Sequence, residues 1–96
     1  MHAIVRTYSG NGAKELIDVI EKDKSEVERL IRSVKGFVSY SLVRTAGGGF
    51  SVSIYQDKAG TEESSRIARE WIANNARNTN VAAPSISEGS VIVHLK

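Results

Sequence analysis

The chain has 96 residues, 41% of them hydrophobic and 25% charged, the balance of one globular domain spanning residues 1–96. It contains no cysteine, which excludes disulfides, thiol catalysis, iron–sulfur clusters and thiolate zinc sites. Thirteen Lys and Arg against eleven Asp and Glu leave a net charge of +2, too little to mark a nucleic-acid binder.

The start of the chain is too short and too polar for a signal h-region, and no apolar run approaches the ~20 residues that span a bilayer. The expectation is a soluble cytoplasmic protein with no membrane partner.

Ala3–Tyr8 reads as a strand: Ile4 and Val5 are β-branched, and the run ends in the turn cluster Ser9-Gly10-Asn11-Gly12. Ala13–Val34 carries Leu16, Ile17, Ile20, Val27, Leu30, Ile31 and Val34 at helical spacing. Acidic residues lead this helix, basic ones close it, and Gly36 stops it. The polar run Glu21–Glu26 interrupts the stripe, either as a kink or with Lys24 laying its stem over the core. Phe37–Thr45 is a second strand, Ala46-Gly47-Gly48-Gly49 a hairpin connection, and Phe50–Gln56 a third strand. Asp57 or Thr61 caps a second helix that runs to Ala76, with Ile67, Ala68, Trp71 and Ile72 as its apolar stripe. A loop containing Pro84 leads to a last strand over Ser90–Leu95.

The order β-α-β-β-α-β with right-handed crossovers predicts an α+β, ferredoxin-like fold. Its antiparallel sheet has strand order 4-1-3-2 and both helices on one face. Strand parity then sorts the side chains. Val38, Tyr40 and Leu42 and also Phe50, Val52 and Ile54 are large, and are expected beneath the helices with Ala3, Val5, Val91, Val93 and Leu95. Arg6, Tyr8, Ser39, Ser41, Ser51, Ser53, Tyr55 and His94 then fall on the open face, which is either solvated or a polar cavity closed by a second subunit. Arg6 among hydroxyl groups suits an anionic or oxygen-rich ligand. With serines rather than aromatics on the central strands, no nucleic-acid partner is expected.

Gly36-Phe37-Val38-Ser39-Tyr40 opening strand two, Trp71 in helix two, Gly47-Gly48-Gly49-Phe50 and Asp57-Lys58-Ala59-Gly60 give the whole chain a further meaning. With the element order, they resemble the antibiotic biosynthesis monooxygenase-like family of the dimeric α+β barrel superfamily. The resemblance implies a homodimer in which two four-stranded sheets face each other, and so a covered open face. It also implies cofactor-independent oxygenation of small aromatic substrates, with no metal or flavin, in a pocket between helices and sheet lined by a Trp of helix two. Trp71 matches that Trp. Where the oxygenases place an Asn one turn earlier, this chain has Ile67. Haem-degrading relatives use a His in the second helical region and an Asn in strand one. Here Asn74, Asn75 and Asn78 follow the Trp, with no His there and no Asn in strand one.

The candidate pocket residues are therefore Trp71, Tyr40, Arg6, Tyr8, Tyr55 and His94. Trp71 is either a pocket wall or plain core, and Tyr40 either points into the same cavity or fills space. With strands one and four paired antiparallel, His2 is expected opposite His94, but a metal needs a further ligand that the sequence does not place there. Catalysis is left open between an oxygenase-like enzyme, a small-molecule binding protein without turnover, and a structural or interaction domain.

Overall fold

The computed structural model describes residues 1–96. In chain order the elements are β1 (His2–Ser9), α1 (Ala13–Lys22), α2 (Lys24–Arg32), β2 (Phe37–Thr45), β3 (Gly48–Tyr55), α3 (Lys58–Asn75), a single 3-10 turn (Arg77–Thr79) and β4 (Ser85–Ser90). The four strands form one antiparallel sheet in the order β2-β3-β1-β4, which is the expected ferredoxin-like topology. The sheet is open, not a closed barrel. No helix is long and apolar enough to cross a membrane.

Three helices stand where two were expected, because the helix over Ala13–Val34 breaks at Asp23 (φ −108°, ψ 27°). The polar run Glu21–Glu26 offers no apolar side chain to hold a straight helix to the sheet. The break lets α1 bury Leu16, Ile17 and Ile20 while α2 re-aims Val27, Leu30 and Ile31 inward. Asp57 caps α3, its Oδ1 accepting from the Gly60 N–H at 3.2 Å.

The last strand is displaced from its expected place. β4 spans Ser85–Ser90, and Val91–Lys96 continues as a tail that belongs to no strand. The register pairs His2 with Ser90 and Arg6 with Ile86. Beyond Ser90, β1 has run out: the final bond is Val91 N–H to the Met1 carbonyl at 3.0 Å. The apolar run Val91-Ile92-Val93 is strand-like in composition but has no strand left to pair with, so His94 does not lie opposite His2.

The sheet faces also depart from expectation. Ile4, Arg6 and Tyr8 of β1 and Ser51, Ser53 and Tyr55 of β3 are buried beneath the helices. Val5, Phe50, Val52 and Ile54 occupy the open face and are half-buried. Arg6, Tyr8 and Tyr55 are thus on the opposite side from that expected. The cause is size matching. A Cβ on Gly60 would stand 2.7 Å from the Tyr55 Cβ, so α3 approaches β3 closely. The buried face of α3 is small, with Gly60, Thr61, Ser64 and Ser65. Serines fit beneath such a helix, whereas Phe50 or Ile54 would hold it off. β2 keeps the expected parity at Tyr40 and Leu42. A bulge between Phe37 and Ser39 also brings Phe37 to the helix side, edge-on to Tyr55 with ring centroids 5.9 Å apart.

The glycine triplet seats α1. A Cβ on Gly49 would lie 2.8 Å from Ile17 Cδ1 and 2.7 Å from the Val43 carbonyl oxygen, so only glycine allows the helix so near β3.

Candidate functional site

Two apolar clusters fill the space between helices and sheet. One joins Tyr8, Leu16, Ile17, Ile20 and Trp71, and the other joins Ile31, Val34 and Tyr55. Between them remains a cavity of about 40 Å³ under α2 and α3, walled by Arg6, Tyr8, Leu30, Tyr40, Ile67 and Trp71 among others. It has room for a few waters, short of the ~150 Å³ known to take a benzene ring. Outward it adjoins a groove of about 380 Å³ between α1, α2 and β2. Ile20, Val27, Tyr40 and Leu42 border both spaces, so a shift of these side chains would join them. Arg44 fastens β2 to α1 beside the groove through Asp18 at 2.9 Å and Glu21 at 2.6 Å.

Arg6 is only 4% exposed. Its Nη1 donates to Ser65 Oγ on α3 at 2.9 Å, and none of the ion pairs of the chain includes it. A guanidinium carries five N–H donors, and a buried charge without a counter-charge costs several kcal/mol. Trp71 is held on α3, where the Asn75 side-chain amide donates to its carbonyl at 2.9 Å. Its indole N–H is buried without an acceptor. The Tyr8 and Tyr40 hydroxyls find no protein partner, whereas Tyr55 donates to the Ile31 carbonyl at 2.8 Å. Burial pushes the Tyr40 phenol up to about 12, against a downward pull from the Arg6 charge. The Tyr8 phenol is raised by the same two opposed effects. Both therefore stand in the cavity wall as neutral hydroxyls at neutral pH.

Four of the six expected pocket residues, Arg6, Tyr8, Tyr40 and Trp71, come together here. Tyr55 and His94 do not: Tyr55 pins β3 to α2, and His94 lies in the tail. His2 Nε2 is 3.6 Å from Glu88, and no group of three or more His, Asp or Glu side chains is arranged to hold a metal. Sequence reasoning missed Ser65, the one partner of Arg6. Its signal is the spacing of small residues at 60, 61, 64 and 65, which marks a helix face built for close contact.

No protein-family model matches the chain, and no curated protein matches it. Solved structures do match. A monooxygenase from the gene ActVA-Orf6 of Streptomyces coelicolor, in complex with nanaomycin D, is 14% identical at a TM-score of 0.63, over 99% of this chain and 89% of that one. The haem degrader MhuD of Mycobacterium tuberculosis, with two haems in its active site, is 16% identical at a TM-score of 0.64, over 99% and 98%. A dimeric ferredoxin-like protein from an uncultured marine organism is 17% identical at a TM-score of 0.64, over 98% and 94%. At such identities the likeness is one of fold, and at that level it agrees with the antibiotic biosynthesis monooxygenase-like resemblance of the sequence. The cavity offers haem no axial ligand: no His, Cys or Met lines it, and the two phenols within it are held protonated.

Proposed function

We propose that the protein is a homodimer in which each protomer binds a small, ring-containing molecule beneath α2 and α3, in the manner of a cofactor-independent monooxygenase. The observation that carries the reading is the cavity at Trp71, where a buried indole N–H lacks an acceptor and the Tyr8 and Tyr40 phenols join Arg6 and Ser51 in a mostly apolar wall. Support comes from the shared fold of the monooxygenase crystallised with nanaomycin D. Binding requires Val27, Tyr40 and Leu42 to part, joining the cavity to the groove outside.

Trp71 is the only tryptophan, so its fluorescence reports on the site directly. Titration with 1-naphthol or with dithranol, an anthrone, should change that emission saturably. Oxygen consumption with dithranol should then exceed the spontaneous rate and fall in Trp71→Phe. No saturable response to any such ring compound would end the reading.

Binding without turnover is a second reading, favoured by one specific feature. No carboxylate or imidazole lines the cavity, so no side chain there is a ready general base at neutral pH. Saturable binding with no excess oxygen uptake would select it.

The dimer rests on the bare apolar surface. Val5, Val43, Phe50, Val52 and Ile54 stand on a sheet face that no helix covers. The tail adds Ile92 at 89% exposed and Leu95 at 87%. Contiguous apolar surface of this kind is what a second copy covers.

A further inference from the structure

We infer that the pocket takes its ligand as an anion: an aromatic compound bearing a phenolate, enolate or carboxylate oxygen held by Arg6. This deepens the pocket reading and depends on it. Arg6 is buried on the middle of β1, between Ser51 of β3 and Ile86 of β4 in register, with its side chain turned toward α3. It makes one hydrogen bond, to Ser65, and has no carboxylate partner. The titratable groups whose fields meet its own are Tyr8, Tyr40 and Tyr55, all neutral phenols. The α3 residues at the cavity, Ile67, Ala68, Trp71 and Ile72, bring no charge. The protein has thus placed a positive charge in an apolar wall and withheld the counter-charge.

A ligand oxyanion supplies what is missing. It accepts from the guanidinium, and the Tyr8, Tyr40 and indole donors that have no protein partner lie in the same wall. An opposite charge within hydrogen-bond reach lowers the proton affinity of an acidic ligand. The site would bind the conjugate base of a weak aromatic acid in preference to the acid itself.

The test uses 4-nitrophenol, whose acid and anion absorb at different wavelengths, and nitrobenzene as its neutral analogue. Bound 4-nitrophenol should ionise about one pH unit lower than free 4-nitrophenol, equivalent to about tenfold tighter binding of the anion. Nitrobenzene should bind more weakly than the anion. Arg6→Met should abolish the shift, and Arg6→Lys, which keeps the charge, should retain part of it. A 4-nitrobenzoate arm identifies the head group: Arg6-dependent binding of it extends the site to carboxylates, and its exclusion confines the site to phenolates and enolates. Ligand-free Arg6→Met should melt no lower than the parent, since it removes an unpaired buried charge. Nitrobenzene binding with no downward shift, or the same shift in Arg6→Met, overturns the inference and leaves the pocket reading standing. Failure of every probe to bind overturns both.

Discussion

Tyr40 shows how one side chain reports the burial of the site. Its phenol is raised from the usual 10 to about 12, first by burial. The folded state therefore holds the proton more tightly than the unfolded chain. Between pH 10 and 12 the unfolded state has released a proton that the folded state keeps, so stability falls as pH rises through that window and is complete below it. Two units correspond to about 2–3 kcal/mol. Denaturant unfolding at pH 9 and pH 12 should show a loss of at least this order, and Tyr40→Phe should reduce it, leaving the share of Tyr8 and Tyr55, whose phenols are raised as well. A slope unchanged in Tyr40→Phe would show that Tyr40 is not the buried phenol responsible. Tyr40 beside Trp71 and Tyr8 beside Arg6 were legible in the sequence, yet the meeting of the two pairs on one face was not. Alternation along a strand says which residues share a face, and it does not say which face the helices will choose. For β1 the apolar Ile4 and Tyr8 flank Arg6 on one side and Val5 lies on the other, so hydrophobicity alone does not choose between the two faces.

The helices choose by closeness of approach, and this is testable at the seat of α1. Gly49→Ala places a methyl 2.7 Å from the Val43 carbonyl oxygen, a backbone atom that cannot rotate away, and 2.8 Å from Ile17. It should destabilise by ~1–3 kcal/mol in thermal or denaturant unfolding. Gly47→Ala, with nothing within 4 Å, should be close to neutral. Equal effects would mean that the glycine triplet serves the hairpin alone. Element order, strand pairing order and the bounds of β2 were legible because each depends on local pattern: β-branched runs, turn glycines and helical spacing. The break at Asp23 was legible as an interruption, since a polar run cannot hold a helix to a sheet. The place of β4 was not. The sequence offers Val91–Leu95 as the better strand, yet pairing is decided by where β1 begins, and β1 has no residues left opposite them. Residues of low strand preference, Ser85–Ser90, pair because topology brings them to the edge. Likewise the small face of α3 became meaningful only when set against Ser51 and Ser53.

At the level of the molecule, the two faces of the sheet have different roles. The helix face holds the polar groups of the pocket among Ile4, Tyr8, Tyr40 and Leu42, and the open face is also apolar, with Val5, Val43, Phe50, Val52 and Ile54, unlike a sheet with a solvated back. Four strands ~4.8 Å apart, about eight residues long at ~3.3 Å each, offer a face of roughly 500 Å² per protomer. Two such faces bury roughly 1,000 Å², at the lower edge of a stable interface. The tail residues Ile92, Val93 and Leu95 would enlarge it. A homodimer built this way makes three linked demands. The parent chain should sediment as a dimer at micromolar concentration. Phe50→Lys or Val52→Asp should make it a monomer, because a charge tolerated on a half-exposed face becomes an unpaired buried charge in the interface. These monomers should keep the parent circular dichroism, since neither side chain touches the helices, and should keep the Trp71 response to ligand, since the pocket lies on the other side of the sheet. Truncation after Ser90 should weaken association without abolishing it. A parent chain that sediments as a monomer, or a Phe50→Lys variant that remains a dimer, would show that the apolar face is not where copies of this protein meet.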